Sequence, residues 1–266
     1  MFKVRFLVLV VLFLGLSGCS LRNKNNNNTS SLSSLEKLST NKSKTKMGAI
    51  RIQALRDTAL SVGARGGLAF RAAEMNAVLL KNENMLYRVF NFNAMLLDKN
   101  VLPPVLTQGR NTLTLGGTDT IRIADRTFII LTQAKFVTAA PNWRDYLWLG
   151  YKTPETPDRT LLPRNREERI VWKKYIDEGW VAGMQQAELI FKENIARIKR
   201  DYQGMILYRT LLAQNIVSPP FVAEMDMGVT GGGTDLTVND RILRITAFPA
   251  LQNDSENWKT EITPNE

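Results

Sequence analysis

Two long stretches of the chain repeat apolar residues every three or four positions, which is typical of amphipathic helices. The first covers residues 52–80 and predicts one helix. The second covers residues 166–215, and at a rise of 1.5 Å per residue it predicts a helix about 75 Å long. Its apolar stripe is expected to pack on the first helix. A shorter helix is predicted around residues 85–97, and the prolines at 103–104 stop it.

Both long helices contain glycines, each of which costs about 1 kcal/mol relative to alanine inside a helix. Three of them lie in the segment GARGGLAFRAA, residues 63–73. Either another backbone approaches closely at this segment, or the segment is a break between two shorter helices. The pattern leaves both interpretations open. Gly179, Gly183 and Gly204 are the positions at which the second helix would break.

Apolar and polar residues alternate in two other regions that are rich in β-branched residues, which predicts strands. These regions cover residues 111–139 and 221–249. The predicted fold class is therefore α+β, with two long helices packed with a small mixed or antiparallel sheet. Residues 47–252 are assigned to a single α+β domain, and residues 253–266 to a disordered tail. Turns are expected at residues 116–117, 124–126, 231–233 and 239–240.

An aromatic, proline-rich segment, residues 139–163, separates the first strand region from the second long helix. It lacks clear periodicity and predicts an ordered loop, with one helical turn at residues 143–149. Trp143, Tyr146 and Trp148 would either form a recognition surface or cover the end of a sheet, which is a common position for such rings.

Residues 1–18 have the pattern of a secretory signal peptide. Their apolar run, residues 6–16, is shorter than the roughly 20 residues that a bilayer span requires. Lys3 and Arg5 precede the run, and small residues follow it. A buried N-terminal helix is the alternative, but the polar segment that follows would leave such a helix with nothing to pack on.

Leu16, Ser17, Gly18 and Cys19 resemble the bacterial lipobox. The resemblance implies that a diacylglycerol is added to the Cys19 thiol, and that a signal peptidase recognises the three preceding residues and cuts before the cysteine. Two or more acyl chains hold a protein firmly at a membrane. Ser20 stands where many inner-membrane lipoproteins carry aspartate, which favours lipid anchoring in the outer membrane, facing the periplasm.

Residues 19–46 are expected to form a lipidated, disordered tether. Asn, Ser and Lys dominate this segment, and its apolar residues are too few to fold alone. As a coil the tether would span roughly 30 Å, and fully extended it would span about 90 Å.

Composition restricts the chemistry that this chain can perform. It contains no histidine and one cysteine, which excludes an intramolecular disulfide, a Ser-His-Asp site, a Cys-His site and His-ligated zinc. We expect no cofactor.

The net charge of +10 suggests a nucleic-acid partner at first. However, Lys3 and Arg5 carry two of these charges, residues 20–46 carry a net +5, and residues 47–266 carry only +3. The basicity therefore lies in the tether, where it attracts acidic lipid headgroups or keeps the chain solvated. Direct nucleic-acid binding by the folded body is not expected.

Five stretches of the chain resemble the DotC family, the lipoproteins of the Dot/Icm type IVB secretion system and of related conjugation systems. The longest reads KRDYQGMILYRTLLAQNIVSPPFVAEMDMGVTGGG. Together they cover residues 91–115, 134–151, 156–165, 199–233 and 239–251.

The resemblance implies a non-catalytic subunit of a secretion core complex at the outer membrane. It also implies partners: a DotD-like lipoprotein, a DotH-like outer-membrane core component that the chain helps to place, and other core-complex subunits.

A second class of function stays open, namely a cell-wall-acting lipoprotein that hydrolyses or binds peptidoglycan. Glycan cleavage usually needs two carboxylates that face one groove. The positions of the acidic candidates are typical of loops and of a solvated helix face, so no catalytic residue is assigned. These candidates are Glu155, Asp158, Glu167, Glu168, Asp177 and Glu178.

Overall fold

The computed structural model describes residues 31–39 and 48–259, and this part of the chain has an α+β fold, as predicted. Its helices are α1 (Leu32–Glu36), α2 (Ala49–Lys81), α3 (Glu83–Val89), α4 (Trp143–Leu147) and α5 (Arg166–Ala213). Its strands are β1 (Val101–Leu102), β2 (Val105–Leu115), β3 (Ile121–Thr132), β4 (Lys135–Phe136), β5 (Phe221–Gly232) and β6 (Asp235–Ala247). Single 3₁₀ turns occupy Asn93–Met95, Asp98–Asn100, Arg159–Leu161 and Ser255–Asn257.

Both long helices are continuous, and four of their glycines lie where the two backbones meet. α5 has 48 residues and is about 72 Å long. A Cβ added at any of these four glycines would collide with the main chain of the opposite helix, so close approach is the correct explanation for Gly63 and Gly67 of α2. The colliding pairs are Gly63 with Ile176, Gly67 with Trp180, Gly179 with Leu60 and Gly183 with Ala64.

Two apolar clusters, one on each side of the glycine contact, form most of the core, and a third lies where β2 meets the end of α5. Burial of each large apolar side chain contributes about 1.5–3 kcal/mol, so the clusters hold the helices together beyond the glycine contact. One cluster comprises Leu35, Leu55, Ala59, Val62, Leu162, Trp172, Ile176 and Trp180. The other includes Ala72, Met75, Leu79, Phe92, Trp143, Phe191, Ile198 and Met205.

The short helices begin and end for local reasons. The predicted helical turn at residues 143–149 is confirmed as α4, which starts with a capping box. The Asn142 side chain accepts a hydrogen bond from the Arg144 amide at 2.8 Å, and the Asp145 carboxylate accepts one from the Asn142 amide at 2.7 Å. The helix expected around residues 85–97 ends earlier than predicted, with α3, and is followed by a 3₁₀ turn.

The described strands form three separate two-stranded antiparallel sheets. β2 pairs with β3 and β5 pairs with β6 as long hairpins, whereas β1 and β4 pair over two residues only. The turn expected at residues 116–117 is confirmed, and the amide of Gly116 donates to the carbonyl of Thr120 at 2.8 Å. The turn expected at residues 231–233 is also present, but it lies at residues 233–234, because β5 extends to Gly232.

The turns expected at residues 124–126 and 239–240 are wrong. Ala124 lies inside β3 opposite Thr112, and Asn239 lies inside β6. Asn111 and Asn239 take φ values of 48° and 57°, a conformation that asparagine tolerates better than most residues. The ladders therefore continue past these residues as local irregularities, and no chain reversal occurs there.

The expectation of a disordered tether does not hold for residues 31–39. Here α1 packs on the helix pair, with the Leu35 side chain 6% exposed. The indole nitrogen of Trp172 donates to the carbonyl of Leu35 at 3.1 Å, and the Lys173 ammonium lies 2.7 Å from the Glu36 carboxylate. Gly66 leaves the space that Leu35 fills. One buried leucine and a tertiary hydrogen bond thus order a segment whose composition is that of a coil.

The disordered tail expected at residues 253–266 is also corrected over its described part, residues 253–259. Asp254 caps a 3₁₀ turn, since its carboxylate accepts a hydrogen bond from the Glu256 amide at 3.1 Å. The amide of Lys259 then donates to the carbonyl of Gln214 at 2.8 Å, which ties the segment to the end of α5.

The helix contact generates a stability prediction. Gly183→Val is expected to lower the free energy of unfolding by about 3 kcal/mol, because its side chain must push the backbone of Ala64 away. Thermal unfolding followed by circular dichroism would show a midpoint about 6–12 °C lower. Gly150→Val is the matched control, since an added Cβ there meets nothing within 4 Å. Equal midpoints for the two variants would contradict the close-contact interpretation.

The docking of α1 generates a second prediction. Leu35→Ala is expected to weaken this docking by about 2 kcal/mol, which makes opening of the Trp172 indole hydrogen bond about 30-fold more frequent. Hydrogen exchange of that indole N–H, followed by NMR, measures the change. Ser33→Ala, on the exposed side of α1, should leave the exchange rate unaltered. An unchanged rate in Leu35→Ala would mean that Leu35 does not hold the segment.

Candidate functional site

Both long hairpins leave the body at the C-terminal end of α5. At Gly204 an added Cβ would meet the backbone of Leu106, so β2 crosses the helix at close range there. The β5–β6 hairpin also contacts the segment that precedes the other hairpin, because the ammonium of Lys99, in the 3₁₀ turn Asp98–Asn100, lies 2.8 Å from the Glu224 carboxylate. The side-chain amide of Gln133 also donates to the carbonyl of Pro249, at 3.3 Å.

The outer half of the β2–β3 hairpin has one aliphatic face. Leu115 lies opposite Ile121, and Leu113 lies opposite Ile123. Directly opposed residues and their second neighbours share one face of a ladder, so these four side chains lie together. Their exposed fractions are 76%, 60%, 70% and 72% in the order named. We call this surface the β2–β3 aliphatic face.

The outer half of the β5–β6 hairpin has a similar surface. Val229 lies opposite Val238, and Leu236 lies on the same face two positions further along. All three are more than 60% exposed. We call these residues the β5–β6 aliphatic face. Nearer the base, Met225 and Ile242 form another exposed cross-strand pair.

Each long strand of the described chain has one unpaired edge, because the sheets contain two strands each. A lone two-stranded hairpin is marginally stable in water, and an exposed edge is a template for pairing with another strand. Contiguous exposed apolar surface usually marks an interaction site. The two hairpins are therefore the candidate functional site, as an interaction surface.

The two hairpins differ in charge. Residues 105–132 carry three arginines and two aspartates, a net +1, whereas residues 221–247 carry four acidic and two basic residues, a net −2. Arg110 and Arg126 lie directly opposite each other, and neither has an ion-pair partner within residues 31–39 and 48–259. Like charges in this position destabilise a ladder, so a carboxylate from a partner would stabilise it.

Glu224 already has two cationic partners at the base of the β5–β6 hairpin. Its carboxylate lies 2.8 Å from the Lys99 ammonium and 2.9 Å from the Arg241 guanidinium. Hydrogen bonds from Lys99 and Arg241 lower the pKa of Glu224 below its ordinary value. This carboxylate therefore holds the hairpin base together.

The three rings of the loop do not form one recognition surface. Trp143 is fully buried in the core beside α2 and α5. Tyr146 stacks on Phe92 with ring centroids 5.5 Å apart, and burial raises its pKa to about 12. Trp148 is 42% exposed. The first two rings cover the helix pair, a position that the loop's sequence pattern does not reveal.

Of the acidic residues considered for glycan cleavage, two form hydrogen bonds that stabilise the local fold, and three others are exposed. Glu168 is 3% exposed, and the Arg51 guanidinium donates to both of its oxygens, at 2.7 and 2.9 Å. The hydrogen bond from Arg51 lowers the pKa of Glu168 more than burial raises it. The Asp158 carboxylate accepts a hydrogen bond from the Thr160 amide at 2.8 Å at the start of a 3₁₀ turn. Glu155, Glu167 and Glu178 are exposed.

Asp177 lies beside a carboxylate that sequence analysis did not single out. Lys173 bridges the two, with its ammonium 2.7 Å from Glu36 of α1 and 3.8 Å from Asp177 of α5. Burial raises the pKa of Asp177, and the hydrogen bond from Lys173 lowers that of Glu36. These carboxylates thus lie at the contact between α1 and α5.

The lipobox residues Leu16, Ser17, Gly18 and Cys19 lie outside the described residues, and so does the signal peptide. Within the described ranges no group of three or more His, Cys, Asp or Glu residues could hold a metal ion. No helix in those ranges has the length and apolar character needed to cross a bilayer.

The Arg51–Glu168 pair generates a pH prediction. Because the pKa of Glu168 is lowered in the folded state, its contribution to stability is complete above the unfolded-state pKa of about 4.3. The contribution is lost as the pH falls through the lower folded-state pKa. Glu168→Gln should lower the free energy of unfolding by about 2 kcal/mol at pH 7 and flatten its decline below pH 5.

Urea unfolding at pH 7 and at pH 3.5 measures both effects. Glu178→Gln is the control, because Glu178 and Lys174 are exposed and 3.9 Å apart, and such pairs contribute little. If both variants lost equal stability at pH 7, Glu168 would not have the assigned role.

Comparison with known proteins gives the family. A family model described as type IV secretory system, conjugal DNA-protein transfer, matches residues 49–260. No curated protein matches the chain. The family match covers α2 to α5 and both hairpins, which is most of the chain. The chain therefore belongs to this family, which is described as type IV secretory system, conjugal DNA-protein transfer.

Proposed function

We propose that this protein is an outer-membrane lipoprotein subunit of a type IVB secretion core complex, of the DotC type, with a structural and non-catalytic role. In this proposal Cys19 carries the lipid and the body faces the periplasm. A DotD-like lipoprotein and a DotH-like core component are its partners, and the chain helps to place the latter at the outer membrane. Membership of the type IV secretory family supports the proposal.

The observation that carries the proposal is the pair of exposed hairpins. Leu113, Leu115 and Leu236 are all 70% or more exposed, on hairpins whose strands have free edges. An assembly subunit requires surfaces that are completed by neighbours, and exposed apolar ladders with unpaired edges have this property. The hydrolase alternative lacks comparable support, because the buried candidate Glu168 is held by Arg51.

The elongated body supports a specific arrangement at the membrane. α1 docks beside Trp172, and the hairpins leave near Gly204, so about 48 Å of α5 separates the two sites. If Cys19 is lipidated, only residues 20–30 of the predicted tether separate the lipidated residue from the described segment that contains α1. Those residues reach at most about 40 Å. The α1 end is then held towards the membrane, and the hairpin end extends away from it, towards other subunits.

The test is to replace the lipidated residue without blocking export. Cys19→Ala with an ordinary secretory cleavage site is expressed in cells that lack the native copy, and membrane fractionation follows the DotH-like partner. We expect the partner to leave the outer-membrane fraction while the variant stays folded in the periplasm, because the acyl chains supply the membrane affinity.

Ser20→Ala, which keeps the lipobox, is the matched control and should retain the partner. If the partner stays in the outer membrane in Cys19→Ala cells as well, lipidation is not what places it, and the anchoring part of the proposal fails.

A further inference from the structure

We infer that the two hairpins are complementary halves of one interface, in which the β2–β3 hairpin of one copy of this chain pairs with the β5–β6 hairpin of a second copy. The inference rests on the proposed function, since it names the partner of the hairpin surface.

The backbone supplies the first argument. β2 to β3 and β5 to β6 are ladders of ten and eleven paired positions, and each ends in unpaired edges. Joining two such hairpins edge to edge forms a four-stranded sheet. Sheets of three or more strands with an apolar face are stable where single hairpins are not. Each hairpin thus provides what the other lacks.

The side chains supply the second argument. The β2–β3 aliphatic face consists of leucine and isoleucine, and the β5–β6 aliphatic face consists of valine and leucine. Both lie in the outer halves of their hairpins, away from the body. When edges pair, the two faces can form one continuous apolar surface on a four-stranded sheet, with contacts between neighbouring side chains across the new pairing. Aliphatic and β-branched cross-strand neighbours stabilise such a sheet.

The charges of the two hairpins indicate which partner the β2–β3 hairpin binds. Arg110 and Arg126 oppose each other in the β2–β3 hairpin and lack acidic partners in the described chain. The β5–β6 hairpin is acidic overall. Its exposed Asp235 has no ion pair among the described residues, and Asp226 lies opposite Arg241, whose ion pair is with Glu224. An acidic, aliphatic strand is therefore the chemistry that the basic hairpin fits, and this chain carries such a strand.

A second copy fits better than the same copy or a membrane. In one chain the two hairpins rise from the same end, and Lys99, which precedes β2, contacts Glu224 of β5, yet the strands of the two hairpins do not pair with each other. A lipid surface would match Arg110 and Arg126 but would repel the acidic hairpin. A contact between two different surfaces of identical chains also repeats in one direction, which builds a ring or a filament.

Cross-linking between tagged copies tests the inference. The full-length chain is expressed in its own cells with two tags, one copy carrying Thr114→Cys and the other Thr237→Cys, and a bismaleimide is added. We expect this pair to cross-link at least tenfold more than two copies with Thr114→Cys. In the second control, one copy carries Lys192→Cys, on an exposed part of α5, in place of Thr237→Cys, and it should cross-link as little as the first control. Copies without an added cysteine report any background from Cys19.

Charge reversal makes the test specific. Arg110→Glu with Arg126→Glu in the first copy should reduce the cross-link about tenfold, and Asp235→Arg in the second copy, which keeps Asp226 opposite Arg241, should restore part of it. A misfolded hairpin could not be restored in this way. Arg166→Glu with Arg169→Glu, the same charge change on exposed residues of α5, should leave the yield unchanged.

The remaining outcomes distinguish this inference from the proposed function. Cross-links only to a protein of different sequence would overturn the second-copy inference and leave the assembly role standing. Arginine-dependent binding of the chain to vesicles of phosphatidylglycerol would overturn it in favour of a lipid surface. If no hairpin position cross-links to any protein, both the inference and the proposed assembly role fail.

Discussion

The close approach of α2 and α5 is the constraint on which the rest of this structure depends. Gly63 and Gly67 on one helix and Gly179 and Gly183 on the other let the two backbones touch. Without a Cβ at these positions, the helices align the apolar side chains that flank the contact into two core clusters. The penalty of four glycines in helices, about 1 kcal/mol each, is offset by this packing.

The resulting rod separates two kinds of surface. Near one end, the groove beside Gly66 and Trp172 accepts α1 and so connects the body to the N-terminal segment. Near the other end, Gly204 lets β2 cross the helix and begin the first hairpin. The continuous helix α5 between them holds the two surfaces tens of ångströms apart. For a subunit that belongs to a secretory system, this arrangement suits a spacer between an anchor and an assembly surface.

The hairpins differ from the body in how their apolar residues are used. In the body, residues such as Trp143 and Ile198 are fully buried. In the outer hairpin halves, residues such as Leu115 and Leu236 are more than 70% exposed, and contiguous apolar surface of this kind is rare on monomeric soluble proteins. The apolar residues of these alternating strands therefore pack against no core within the described chain. In the proposed function, this surface is the part of the molecule that a neighbouring subunit would cover.

Sequence periodicity determined the two long helices, the strand regions and the α+β class, because 3.6-residue and two-residue repeats are local properties of the chain. Features that depend on contacts between residues far apart in the chain were decided only by the tertiary structure. Leu35 is ordered by Trp172, which lies 137 positions away. The sequence around Asn239 predicts a turn, yet Asn239 is an unpaired irregularity inside β6, and the ladder continues because its neighbours Val238 and Asp240 pair with β5. The small residues of α2 are compatible with a helix break or with a close helix contact. The contact forms because α5 also has a glycine, Gly183, at the point where the two backbones approach.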